Sequence, residues 1–162
     1  MNDLLNFSQT LDRTDKRILN ALQNDAKMTN QELADKVGLT ASPCLRRVKQ
    51  LEDSGLIIGH VTLLNPKLLD LNLTALVHVS MDKHTPERFE NFEKIISNCV
   101  EVQECLLITG QASDYQLKVV TKDMDTYQQF LLGKLTPIEG VSGVHSSFVL
   151  QKVVNHQRIP II

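Results

Sequence analysis

Residues 29–55 read TNQELADKVGLTASPCLRRVKQLEDSG, and this stretch decides the N-terminal fold. Thr29 followed three residues later by Glu32 is a capping-box pattern that opens a helix. Leu33, Ala34 and Val37 supply its apolar face, and Gly38 directly after them suits the left-handed residue that ends a helix. The chain then turns through Gly38, Leu39 and Thr40. A further helix is predicted from about Ser42 to Asp53, with Ser42 as cap and Pro43 at the first helical position. Leu45, Val48 and Leu51 repeat at three-residue steps and are read as its inward face; Gly55 ends it. Upstream, Asp12 to about Asn24 reads as another helix, capped by Asp12 or Thr14 and apolar at Leu11, Ile18, Leu19 and Leu22. Two helices joined by a short Gly-containing turn form the helix-turn-helix signature.

The outward positions of the last helix are then Cys44, Arg46, Arg47, Lys49 and Gln50. Arg and Gln can make bidentate contacts to base edges, so this helix is read as a DNA reader, with Ser42 and Pro43 at its leading end. The plainer alternative is a three-helix bundle with a solvated basic face. Residues 37–51 hold Arg46, Arg47 and Lys49 and no acid, whereas exposed helices ordinarily mix signs. The patch is small. Residues 1–60 carry eight basic and eight acidic groups, and the whole chain has a net charge of −2. Affinity for a polyanion therefore calls for several copies of the segment.

Composition sets the outer limits. With 42 % apolar and 22 % charged residues in 162, the chain is globular rather than disordered and allows two small domains. No apolar run approaches the ~20 residues that span a bilayer. The N-terminal Met1-Asn2-Asp3-Leu4-Leu5 lacks the basic and apolar regions of a secretory signal. Three cysteines, Cys44, Cys99 and Cys105, form no CxxC and point to a reducing cytosol. No His/Cys cluster has zinc-ligand spacing, and neither metal nor cofactor is expected.

Residues 56–66 read as a short strand leading into a connector, which Leu63, Leu64, Leu68 and Leu69 mark as packed. From Thr74 the pattern becomes strands with helices between them. Strands are predicted at Thr74–Met81, Val100–Thr109, Asp114–Thr121 and Val144–Val154. Helices are predicted at Thr85–Asn98, with Phe89, Phe92, Ile95 and Ile96 on one face, and at Asp123–Leu135, with Met124, Tyr127, Phe130 and Leu131 inward. The order β-α-β-β-α-β is the ferredoxin-like arrangement, with both helices on one face of an antiparallel sheet. The other face mixes Leu76, Val120, Val149 and Val153 with polar groups. It suits either a second copy of itself across a two-fold axis or a partly wet exposed sheet.

No catalytic constellation is present. The five histidines sit in no HExxH, Ser146-Ser147 form no nucleophile elbow, and no phosphate-binding glycine pattern occurs. The candidate small-molecule site is the loop Thr109-Gly110-Gln111-Ala112-Ser113-Asp114-Tyr115. Gly110 leaves backbone N–H groups unhindered, Ser113 can donate and Asp114 can accept from an ammonium group, which is what a zwitterionic amino acid requires. By composition alone it is only a hairpin loop, since Gly and Asp are standard turn residues.

These motifs together resemble the Lrp/AsnC (feast/famine) family of transcriptional regulators over nearly the whole chain. The resemblance is carried by Leu11-Asp12-Arg13-Thr14-Asp15, Glu32 to Leu39, Ser42 to Glu52, Gly55-Leu56-Ile57, and Thr109-Gly110 through Asp114-Tyr115. Leu63-Leu64-Asn65-Pro66 and Gln103-Glu104-Cys105 are closest to its leucine-responsive branch. It implies an α+β chain: a winged helix-turn-helix DNA-binding domain at 1–60, a connector at 61–73 and a ferredoxin-like amino-acid-sensing and oligomerisation domain at 74–162. It implies a cytoplasmic regulator whose dimers form through the sensing domains and gather into octamers of four dimers. The effector, leucine or methionine, would sit in clefts between dimers. Thr109, Gly110, Gln111, Ser113, Asp114 and Tyr115 would form its polar end, and Met124, Gln128, Pro137 and Ile138 of a neighbouring dimer would close it. Two rival classes are a regulatory module that senses an amino acid without binding DNA and a nucleoid-type protein that binds DNA without an effector.

Overall fold

The computed structural model describes residues 11–110, 112–155 and 158–161, and its chain divides into two compact units. The first comprises residues 1–63 together with 154–162, and the second residues 64–153. The described residues of the C-terminal segment group with the first unit. Gln23 holds Ile159 from both sides: Ile159 N–H donates to its Oε1 at 2.8 Å and its Nε2 donates to the Ile159 carbonyl at 3.2 Å. Ile161 packs on the apolar core of the same unit.

The first unit is built of α1 (Arg13–Asn24), α2 (Asn30–Val37) and α3 (Ala41–Asp53). Both early helices open on reciprocal capping boxes, Asp12 with Asp15 and Thr29 with Glu32. Gly38 closes α2 at φ 73°, a conformation that a side chain would strain. The third helix is capped two residues earlier than expected. Its cap is Thr40, without a side-chain bond, and Pro43 stands third in its first turn.

The phase of α3 differs too. Cys44, read as outward, is fully buried with Leu51, while Leu45, read as inward, is 59 % exposed. A three-residue step falls about 60° short of a full turn, so Leu45 lies some 120° around the helix from Leu51. Cys44, seven residues before Leu51, shares its face. After α3 no strand forms: residues 58–65 have no regular structure, and Leu63, Leu64, Leu68 and Leu69 are exposed rather than packed.

The second unit contains β1 (Leu73–Met81), α4 (Pro86–Ile96), β2 (Val102–Leu107), β3 (Tyr115–Thr121), α5 (Met124–Phe130) and β4 (Val141–Phe148). The sheet order β2-β3-β1-β4 is antiparallel throughout, as a ferredoxin-like βαββαβ unit requires. Ala75, Val77, Val79 and Met81 alternate inward from β1, and Tyr115, Leu117 and Val119 from β3. Phe92 and Ile96 of α4 and Tyr127 and Phe130 of α5 close the core over them. The last strand lies three residues earlier than expected and stops at Phe148. Met124, read as inward, is exposed for the same reason as Leu45: its three-residue steps to Tyr127 and Phe130 drift off the buried face.

Candidate DNA-reading face and effector loop

The reading face is made by α3. Asn30 of α2 donates from Nδ2 to the Ala41 carbonyl at 2.8 Å, so the turn before α3 is held by the helix preceding it. Ser42, Arg46, Lys49 and Gln50 are exposed along α3, and Pro43 is half-buried. Among the described residues Arg46 and Lys49 make no ion pair. Arg47, expected beside them, is committed elsewhere. Its Nη1 donates to Asp12 Oδ2 at 2.7 Å and to Asp15 Oδ1 at 2.8 Å. Bonds to Asp15 and Asp12 hold the guanidinium's pKa above its ordinary value. A cation satisfied by two carboxylates brings no net charge to a phosphate, so Arg47 ties α3 to the start of α1. Gln50 borders a hollow of about 470 Å³ together with Asp15, Arg47 and Asp53.

In the second unit the loop between β2 and β3 is fastened to β1. Ser80 Oγ donates to the Ala112 carbonyl and Asp114 N–H to the Val79 carbonyl, both at 2.8 Å. The Asp114 carboxylate is engaged through both oxygens: Oδ2 accepts Met81 N–H at 2.7 Å, and His84 Nε2 lies 2.7 Å from Oδ1. Ser80 and His84 were invisible to motif reading, because only the strand register brings them to the loop. Gly110 stands at φ 87°, and a Cβ built there meets nothing within 4 Å. Ser113 Oγ is buried with no hydrogen-bond partner among the described residues. Thr109 is exposed, and Gln111 lies outside the described residues.

Two expected ligand contacts move into the core. The Tyr115 ring is 1 % exposed, T-shaped to Phe89 and tilted on Phe92 at a centroid distance of 4.5 Å. Its hydroxyl donates to Glu93 Oε1 at 2.8 Å, and burial with Glu93 holds its pKa far above the ordinary value. Ile138 is also buried, filling the core where the chain returns to β4. Met124, Gln128 and Pro137 are exposed, and among the described residues no hydrogen bond joins them to the loop.

No group of three or more His, Cys, Asp or Glu that could hold a metal ion occurs among the described residues. Burial beside Glu93 pushes the Cys105 thiol up to about 11, away from a nucleophilic thiolate. No described helix is long and apolar enough to cross a membrane.

Comparison with known proteins agrees with both units. Residues 11–58 match a winged helix-turn-helix DNA-binding family, and residues 74–159 match the Lrp/AsnC ligand binding domain. The chain is 39 % identical over 151 residues to the leucine-responsive regulatory proteins of Klebsiella pneumoniae and Escherichia coli, spanning 93 % of this chain and 92 % of each of those. A transcriptional regulator from Neisseria meningitidis, solved with L-Met, superposes with a TM-score of 0.90 at 39 % identity over 94 % of this chain and 97 % of its own. An AsnC family regulator from Agrobacterium tumefaciens gives 0.88 at 32 %, over 93 % and 97 %. The chain thus belongs to the Lrp/AsnC family of DNA-binding transcriptional regulators, pairing a helix-turn-helix reader with an amino-acid-binding domain.

Proposed function

We propose that the protein is a cytoplasmic regulator whose effector is a free apolar amino acid, leucine or methionine, held at the loop between β2 and β3. Ser113 carries the reading. Its hydroxyl is buried without a partner among the described residues, a costly arrangement that a ligand carboxylate would relieve. Gly110 leaves its surroundings open for backbone N–H groups to join. An ionised carboxylate has about four lone-pair sites, so Asp114 can receive an ammonium at Oδ1 while Oδ2 keeps Met81 N–H. Leucine and methionine follow from the relatives: one is named for leucine, and another was solved with L-Met. Met124, Gln128 and Pro137 are exposed and free to close the site from a neighbouring dimer in an octamer of four dimers. On the DNA side, Ser42, Arg46, Lys49 and Gln50 contact the duplex, with Pro43 at the leading turn.

A thermal-shift panel of the twenty amino acids tests this. Ligand at 100 times its dissociation constant stabilises the folded state by about 2.7 kcal/mol, which is several degrees for a chain of this size. Leucine or methionine should raise the melting temperature of the parent. Ser113→Ala should lose the rise yet melt no lower than the parent's unliganded temperature, because among the described residues its hydroxyl has no partner to lose and its removal relieves the cost of the unmet group. If every apolar amino acid leaves the parent unmoved, the effector assignment is wrong.

A further inference from the structure

One side chain on the reading helix fits neither its core nor the usual polar face. Leu45 is 59 % exposed, whereas Cys44, its neighbour, is fully buried. In α3, Ser42, Leu45 and Lys49 follow one another at three- and four-residue spacing and share a strip of surface, with the exposed Arg46 beside it. All four lie in the N-terminal two-thirds of the helix, the part that a helix-turn-helix protein presents to base edges. Three of them are polar and suited to phosphates or base acceptors. The fourth is a branched apolar group with nothing to offer either.

In the major groove only one feature of the base edges rewards such a group. The thymine C5-methyl is apolar, projects into the groove and distinguishes T·A from every other pair. We infer that Leu45 is a specificity-determining residue that reads a thymine methyl in each half-site, flanked by Ser42 and Arg46. This rests on the reading of α3 as the DNA-contacting helix and deepens it. The contact is uncharged: it selects sequence and releases no counterion, so it leaves the salt dependence to Arg46 and Lys49.

The test uses the full chain and a duplex that it selects from a random pool. Each thymine of that duplex is replaced in turn by deoxyuridine, which differs only in lacking the methyl. At one thymine per half-site, the replacement should weaken the parent about fourfold, the factor for withdrawing roughly one methyl group from an apolar contact. Leu45→Ala should bind the thymine duplex more weakly by a similar factor, ignore the deoxyuridine replacement and keep the parent's salt slope. Leu45→Met, still apolar, should keep the discrimination. Melting temperatures should match the parent's, since the side chain is exposed. Equal affinity of the parent for every deoxyuridine duplex, or full discrimination by Leu45→Ala, overturns the assignment while leaving α3 as a DNA helix. Failure of the parent to enrich any sequence would overturn the DNA-reading assignment itself, and this one with it.

Discussion

Arg46 and Arg47 are adjacent in sequence, and the fold gives them opposite tasks. Arg47 spends its charge on Asp12 and Asp15, while Arg46 projects from α3 unpaired among the described residues. Arg46→Ala should therefore lower the slope of log affinity against log salt by about 1 for each reading helix that engages the duplex. Arg47→Ala should leave that slope in place and instead destabilise the helix-turn-helix by about 0.5–1 kcal/mol, the scale of a partly exposed ion pair. Titrations of the selected duplex over a salt series, alongside thermal melts, separate the two; a slope that falls with Arg47→Ala would return that residue to the interface. The basic character of the helix was legible in its sequence. Its division of labour was not, because the acids that claim Arg47 lie 32 and 35 residues away and pair with it only once α1 crosses α3. Asp114 follows the same pattern. As a loop residue it looks free to bind a ligand, yet its backbone and side chain both tie to β1, so Asp114→Ala tests the fold as much as the site.

At the scale of elements, local rules made the chain most legible. The capping box of α2, Gly38 and the βαββαβ order all follow from residues within a few positions of one another, whereas at α1 the sequence left Asp12 and Thr14 as alternative caps and the structure chooses Asp12. The phase of α3 and of α5 did not, because apolar residues three apart fit two neighbouring faces and only packing chooses between them. The caps also set a pH dependence. Backbone N–H bonding from Asp15, then Arg47, holds the Asp12 carboxyl below its ordinary 3.8. Bonds from the Thr29 backbone and hydroxyl do the same for Glu32, below 4.5. A carboxyl depressed in the folded state contributes stability above its unfolded value and loses it as pH falls through the folded one. Helical circular dichroism melts should therefore hold from pH 7 to about 5 and decline below 4.5 as these caps protonate. Asp12→Asn keeps a capping side chain without a titrating proton, so it should flatten the acid limb. An acid limb identical to the parent's would remove Asp12 as a source.

For the whole molecule, the surface that a single chain leaves uncovered argues for more than one copy. Ile58, Val61, Leu63, Leu64, Leu68 and Leu69 are all largely exposed along the stretch after α3, and Leu106 and Phe148 are exposed on the edge strands. On the sheet face turned away from the helices, Leu76 lies half-buried between Lys118 of β3 and Ser147 of β4, with Val120 nearby and His78 one register step along. Monomers rarely expose so much apolar surface. A second copy seated on that face would give a closed two-fold dimer with two reading helices, and linking two weakly charged heads would raise affinity without any new contact. Light scattering at micromolar concentration should give a mass of at least twice 18.2 kDa, with a larger species if dimers gather further. Leu76→Glu is the discriminating variant. Within one chain the new carboxylate faces Lys118 across the β1–β3 register, so the sheet tolerates it; between two copies it buries charge in an apolar contact. The variant should scatter as an 18.2 kDa species with the parent's circular dichroism, and its DNA salt slope should fall by about half as two heads become one. A parent that is itself monomeric would refute the dimer, whereas a Leu76→Glu variant that stays oligomeric with an unchanged slope would move the interface off this face.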